Sequence, residues 1–533
     1  MDLEHIVSSL SLEELVGQTM CLYINTDKTN PEEFEEKIIK MRPGGIFMKG
    51  TSGDVVKKLT EIANRHLKVP IVVTSDIESG PHTPIVGGAT IPLQMAVGAC
   101  NDTELTEQAW EGVANHCRRN GFHWGFNPVV DLNYNFNNPE CNVRSLSDNP
   151  DHVIKMAKSI LKGFTKDGMM ACTLKHFPGQ GYDDRNSHFV TSENTLSKEE
   201  WFNTYGKVYK ELFKQGVDSV MMGHVSLPAF QTEKDDLGYL PGAICESIIN
   251  GLLKKQLGFE GVVISDALTM VGVAARYASD ELPLMFLQAG GDMVLFPHYD
   301  GYLKIIEAVK NGKIGIERIK DAVIRILRLK ERIHLFEKDY FKDLKEFKGL
   351  DEIALKIAQK SITKIRDFDN LLPVKLEKGS KILLVNVIKT FFPKELTGED
   401  FLPLKKELES YGMSVTSIDN PDYLEVNKIK DEYDLIMINC PMSSDNFGGG
   451  SLRFNWEVIM TFWDGYVINH PRVIFTSFGD PYRIYDVPYM KTYLNAYSNF
   501  PETQKAVAKA VLGIESIVGK SPVEFKGFFE REV

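Results

Sequence analysis

Six ionisable side chains of this 533-residue chain stand at the carboxyl ends of apolar runs: Asp76, Asp131, Lys175, His176, His224 and Asp266. Short Asp side chains accept paired hydrogen bonds from neighbouring hydroxyls, while Lys and Arg donate to ring substituents. A histidine can hold or release a proton near neutral pH. Together these groups suit a neutral polyol and acid–base chemistry on it. Each alone is equally a cap or a satisfied polar group in the core. They become a site only if the fold brings the run ends to one face. One stretch concentrates the signal. Lys175 and His176 follow the apolar run Met169–Leu174, then Pro178, Gly179 and Gly181 break the chain into a loop, and the loop carries Asn186 and His188. Apolar residues followed at once by charge and turn formers mark an active-site loop leaving a parallel strand.

The elements that must position them alternate. A helix opens near residues 11–20, with Ser11 and Glu14 spaced as a capping box. Strands are predicted over 44–48, 69–76, 126–133, 169–173, 219–224, 261–266 and 292–296. Helices are predicted over 54–67, 102–120, 152–166, 198–215, 243–256, 282–289 and 316–333. The strands read as continuous apolar runs, as expected for a parallel sheet covered on both faces. The pattern predicts an N-terminal (β/α)8 TIM-like barrel, with an eighth strand short or irregular and an open doubly wound sheet as the alternative. In either, polar residues at the carboxyl ends of the strands form the site. A charged connector is expected over 341–378. A new alternation from Lys381, with strands over 382–387, 434–439 and 473–477 and helices near 401–411 and 502–512, predicts a smaller α/β sandwich. The expected domains are thus 1–340 and 379–533. Gly448–Gly450 reads as a loop, without a phosphate-binding fingerprint.

Composition narrows the function. Hydrophobic residues make up 43% and charged residues 25% of the chain, the balance of an ordinary globular protein. A net charge of -12 argues against nucleic acid and anionic membrane surfaces as partners. The seven cysteines are scattered, with no C-x-x-C pair, so neither a zinc site nor a disulfide framework is expected. The acidic N-terminus lacks a signal-peptide pattern. No stretch approaches the ~20 apolar residues of a spanning helix. A reduced, cytoplasmic protein is expected, with a small carbohydrate as its partner, no cofactor and no metal. Oligomeric state is not legible.

The string Lys175-His176-Phe177-Pro178-Gly179-Gln180-Gly181, continuing to Ser187-His188, resembles the Lys-His-Phe-Pro-Gly-His-Gly...Asp-Ser-His loop of bacterial β-N-acetylglucosaminidases in glycoside hydrolase family 3. Gln180 stands where that pattern has His, and Asn186 where it has Asp. Ser75-Asp76-Ile77-Glu78-Ser79-Gly80 resembles the family's Asp-x-Glu-Gly-Gly segment, with Ser79 for a Gly. Asn127-Pro128-Val129-Val130-Asp131 with Asn142-Val143-Arg144-Ser145 resembles its Pro-x-x-Asp-x-Asn...Arg-Ser-Phe-Gly stretch. Residues 257–268 resemble the segment holding the nucleophile, and residues 371–374 and 479–482 resemble parts of the accessory C-terminal domain.

The resemblance implies retaining exo-hydrolysis of terminal β-linked N-acetylglucosamine from peptidoglycan- or chitin-derived fragments. Asp266 would be the nucleophile and His188 the acid/base, supported by Asn186 in place of a carboxylate. Asp76, Arg144, Lys175 and His176 would contact the sugar, and Asp131 and His224 join the expected binding set. Two alternatives stand beside this. One is a family 3 β-glycosidase with another sugar preference, whose acid/base could be a Glu such as Glu78 or Glu457. The other is a sugar-binding homologue with little activity, which Gln180 and Asn186 favour.

Overall fold

The computed structural model describes residues 2–337, 339–388, 401–441, 454, 460–462, 465 and 469–527. The chain divides into two units, each discontinuous in sequence. The first comprises Met1–Ala89, Thr106–Leu132 and Ala157–Leu350; the second comprises Thr90–Leu105, Asn133–Met156 and Asp351–Val533.

In the first unit the main strands are β1 (Met20–Tyr23), β2 (Gly45–Phe47), β3 (Val72–Ser75), β4 (Trp124–Gly125), β5 (Thr173–Phe177), β6 (Ser219–Met222), β7 (Val262–Ser265) and β8 (Val294–Leu295). They form two curled parallel sheets, ordered β8-β1-β2-β3-β4 and β7-β6-β5. Parallel bridges at Trp124–Ala171 and Ile264–Met293 run between the margins of these sheets. Helices lie between successive strands, among them Pro31–Met41, Gly53–His66, Tyr205–Phe213 and Leu282–Ala289, and Ile316–Arg332 follows the last. Local chemistry sets their starts. Asn30 accepts from the Glu33 amide ahead of Pro31, and Ser11 and Glu14 complete the reciprocal capping box, satisfying amides that have no partner within the helix. The strands bury both faces. Phe47, Val72, Trp124, Phe126, Met221, Ile264 and Leu295 share one apolar cluster with Ile326 and Leu329 of the last helix.

The second unit holds a six-stranded sheet: β9 (Thr363–Asp367), β10 (Lys381–Asn386), β11 (Ser414–Asp419), β12 (Leu435–Cys440), β13 (Val473–Ser477) and β14 (Thr492–Asn495). Its order is β9-β14-β13-β12-β10-β11, with β9 antiparallel to β14 and the other pairs parallel. Strand periodicity splits its core. Leu383, Val385, Ile436 and Ile438 enter one apolar cluster, while Ile382, Leu384, Leu435 and Met437 enter a second with Leu404, Leu408 and Val507 of the covering helices, as alternation across a sheet requires.

Three elements differ from expectation. The helix predicted over 11–20 stops at Gln18, and Met20–Tyr23 is a strand. The strand predicted over 126–133 is Trp124–Gly125; Pro128 has no amide hydrogen to give to a ladder. The strand predicted over 169–173 runs from Thr173 to Phe177, so Lys175 and His176 are strand residues rather than its exit. Among the described residues no helix is long and apolar enough to cross a membrane. Gly448–Gly450 and Glu457 lie outside the described residues.

Candidate active site

The strand β5 holds two buried polar side chains, Lys175 and His176, and each meets a carboxylate of its own. Lys175, 2% exposed, places Nζ 2.8 Å from Asp76 Oδ1 and 2.6 Å from Glu78 Oε1. Asp76 itself is 42% exposed, so one end of the pair is held and the other faces outward. That is the geometry of a carboxylate presented to hydroxyls. Glu78 is the partner that sequence reading did not assign to Lys175.

Asp131 organises the next step of the chain. It is 1% exposed, and its oxygens accept from the His176 amide (3.1 Å), His176 Nδ1 (2.8 Å) and the Gln180 amide (2.8 Å). These bonds give Asp131 a positioning role toward His176 and the start of the loop. They turn the His176 ring so that Nε2 points away from the carboxylate. His224 is fully buried, with Nε2 2.9 Å from the Ala267 carbonyl, and so braces the segment after Asp266.

Asp266 follows β7 directly. Its amide donates to Met222 O at 2.9 Å, and Oδ1 accepts from the Ala267 amide at 2.7 Å. Burial opposes its ionisation. His176 and His224, then the Ala267 amide and His188, outweigh that opposition and hold the carboxyl below the usual carboxylate range. An ionised carboxylate among three imidazoles can attack as a nucleophile.

His188 rides on the loop between β5 and the short strand Ser192–Glu193, which pairs with Val225–Ser226. Asn186 Oδ1 accepts from the His188 amide at 2.9 Å and lies 2.8 Å from Nδ1. One oxygen that accepts from the amide also meets the ring, so Nδ1 carries a proton. Asp183 accepts from Arg185 and from the Glu193 amide, and Asp184 is exposed. Gln180, buried, donates to Ser187 Oγ at 3.2 Å, and its carbonyl accepts from Tyr205 OH at 2.6 Å. The amide thus shapes the loop from within.

The first unit therefore carries Asp76, Asp131, Lys175, His176, Asn186, His188, His224 and Asp266. Arg144 falls in the second unit, on the turn Asn142–Arg144, where its carbonyl accepts from Gln94. Among the described residues no His, Cys, Asp or Glu cluster could hold a metal. Sequence reading also missed Thr191 and Arg276, whose contacts join the His188 loop to the chain after Asp266; nothing in their spacing signals this.

The sequence profile of the glycosyl hydrolase family 3 N-terminal domain matches residues 11–329. A β-N-acetylglucosaminidase/β-glucosidase of Cellulomonas fimi is 28% identical, covering 97% of this chain and 94% of that protein. A β-hexosaminidase of Neisseria meningitidis serogroup B is 28% identical over 50% of this chain and 74% of its own. Among solved structures, a β-glucoside phosphorylase bound to 2FGlc superposes with a TM-score of 0.89 at 27% identity, covering 98% of this chain and 96% of that one. A family 3 β-N-acetylglucosaminidase from Paenibacillus sp. gives 0.84 at 26% identity, with 97% and 99% covered.

Proposed function

This chain belongs to glycosyl hydrolase family 3 and is a glycosidase, and from that premise we propose that it is a retaining exo-enzyme cleaving terminal β-linked N-acetylglucosamine, as its relatives' names suggest. The observation that carries the retaining mechanism is the ionised Asp266 among His176, His224 and His188, with His188 held by Asn186. Asp266 attacks the anomeric carbon while His188 Nε2–H gives its proton to the departing oxygen. The bond to the leaving group breaks as the Asp266 ester forms. Neutral His188 then takes a proton from water, which attacks the same carbon and frees Asp266. Asp76, braced by Lys175, accepts sugar hydroxyls. We read the first unit as a closed (β/α)8 barrel, a reading supported by the hydrogen bonds Gly125 N to Ala171 O (2.9 Å) and Ser265 N to Met293 O (3.0 Å) at the two sheet margins. Residues 379–533 are taken as an accessory α/β sandwich.

Asp266→Ala tests the nucleophile. kcat/KM on an aryl β-N-acetylglucosaminide should fall by at least ~10³-fold. A 2-fluoro glycoside should leave its mass on the peptide bearing Asp266. A labelled peptide elsewhere would sink the assignment.

A second reading concerns the acceptor. The superposition with a β-glucoside phosphorylase favours it, as does the charge at the site. Once His188 has given up its proton it is neutral, and Asn186 adds no charge beside it. A phosphate anion approaching the glycosyl-enzyme then meets no carboxylate at this position. Sugar 1-phosphate formed in phosphate buffer, followed by ³¹P NMR, separates transfer to phosphate from hydrolysis.

A further inference from the structure

We propose that Arg276 is a positioning residue for proton transfer, clamping the loop of His188 onto the segment that carries Asp266 so that acid and nucleophile keep one spacing. The proposal rests on the reading of His188 as acid/base.

The contacts form one continuous chain. Val271 and Gly272 follow Asp266 along the same segment. The Val271 amide donates to the His188 carbonyl at 3.0 Å. Gly272 lies directly under the loop: a Cβ there would sit 2.2 Å from Ser187 O and 2.8 Å from Val190 O. Thr191 Oγ1 donates to Gly272 O at 2.7 Å, which commits its single proton. The same hydroxyl accepts from Arg276 Nε at 3.0 Å. Arg276 then uses its remaining nitrogens on Asp235 Oδ1 (2.5 Å) and Leu237 O (3.2 Å), at the turn between the paired strands Lys234–Asp235 and Gly238–Tyr239. The Arg276 side chain is 6% exposed and that of Asp235 20%, so the guanidinium is held within the fold with its Leu237 contact at the surface. Three partners at fixed angles suit a planar guanidinium and not an ammonium.

The division of labour follows. Asn186, Gln180 and Asp183 shape the loop internally, and the pairing of Ser192–Glu193 ends it. The Arg276–Thr191–Gly272 chain sets where the shaped loop sits against the nucleophile's segment. A shift of ~1 Å in a proton donor can cost ~10²-fold in rate. The loss should fall on the step that needs the proton. Leaving groups that depart as stable anions need little protonation, so they should be spared.

The test is kcat/KM across aryl β-glycosides with leaving groups from dinitrophenol to phenol, for wild type, Arg276→Met, Arg276→Lys, Thr191→Val and His188→Ala. With dinitrophenol, Arg276→Met and Thr191→Val should stay within ~3-fold of wild type. With phenol they should fall by ~10–100-fold, giving a steeper dependence on leaving-group pKa. Arg276→Lys keeps the charge facing Asp235 but loses the fork, and it should share the steep line. A merely structural role would lower every substrate by the same factor. Such parallel lines, or a wild-type slope, in the near-isosteric Thr191→Val would overturn the clamp even if Arg276→Met fails to fold. His188→Ala separates the two levels. A steep line there with a wild-type slope in the Arg276 and Thr191 variants sinks the clamp alone. A wild-type slope in His188→Ala sinks the acid/base reading, and the clamp with it.

Discussion

At the scale of single residues, Asp266 and His188 divide one proton economy between them. Asp266 is held ionised by imidazoles on several sides, so it should stay competent as pH falls below the ordinary carboxylate range. His224→Gln keeps a donor for the Ala267 carbonyl but removes one imidazole. The carboxyl then loses a neighbour that favours its charge, its pKa rises, and the acidic limb of kcat/KM should move to higher pH. An unmoved acidic limb would mean that another group sets it. Asn186→Asp changes the other limb. A carboxylate on Nδ1 favours imidazolium, so the basic limb should move upward and turnover of a poor-leaving-group disaccharide at pH 7 should rise, with the acidic limb unchanged. The contact of Asn186 with His188 was legible only through the resemblance to the family's Asp-Ser-His loop. Asp131 and His224 were legible as polar strand-end residues but not as fully buried braces, because burial depends on which strands become neighbours. Arg276 and Thr191 are separated by 85 positions, and no local rule pairs them.

At the scale of elements, the helix Ile316–Arg332 buries Lys330 completely against the first sheet, with Nζ 2.9 Å from Gln18 Oε1. Burial lowers its pKa from the model-compound value of 10.5 to about 7, with Cys21 opposing the shift. The folded value lies below the unfolded one. Below about pH 7 both states are charged and the full cost of burying the cation is present. Between about pH 7 and 10.5 the unfolded chain holds a proton that the folded one sheds, so stability gains up to ~1.4 kcal/mol per pH unit from this group. Lys330→Met should abolish that gain. Urea unfolding at pH 7 and pH 9 should show the wild type gaining ~2 kcal/mol relative to the variant; an equal pH response in both would refute a buried, shifted amine. The alternation of strands and helices was readable because each strand of a covered parallel sheet is an unbroken apolar run. Met20–Tyr23 was not, since Thr19 passes into it without a turn former and its apolar residues extend the preceding helix pattern. The true end of β5 was hidden for the opposite reason. Lys175 and His176 look like an exit from the sheet, and only Asp76, Glu78 and Asp131, distant in sequence, make them tolerable inside it.

At the scale of the molecule, the seven cysteines are all unbridged thiols, and all but Cys100 are buried. Burial pushes the Cys245 thiol up to about 12 and that of the partly exposed Cys100 to about 11, so thiolate is scarce at both at neutral pH. A disulfide reagent at pH 8 should label Cys100 slowly and the rest only on unfolding, and reductant should leave Tm unchanged. Rapid labelling of several thiols in the native protein would contradict the packing. The loop of His188 has a consequence of another kind. Asp131 and Tyr205 moor its first turn through Gln180, and Ser192–Glu193 moors its far end to Val225–Ser226. Neither mooring involves the imidazole. A segment fixed at both ends, and clamped at Thr191, can be exchanged between those points while the sheets beneath it keep their register. Divergence can therefore trade one proton donor for another, or one leaving-group preference for another, within a single exchangeable cassette. Transplanting residues 181–190 from a relative, with Thr191 kept, should transfer leaving-group preference while the nucleophile stays where it is.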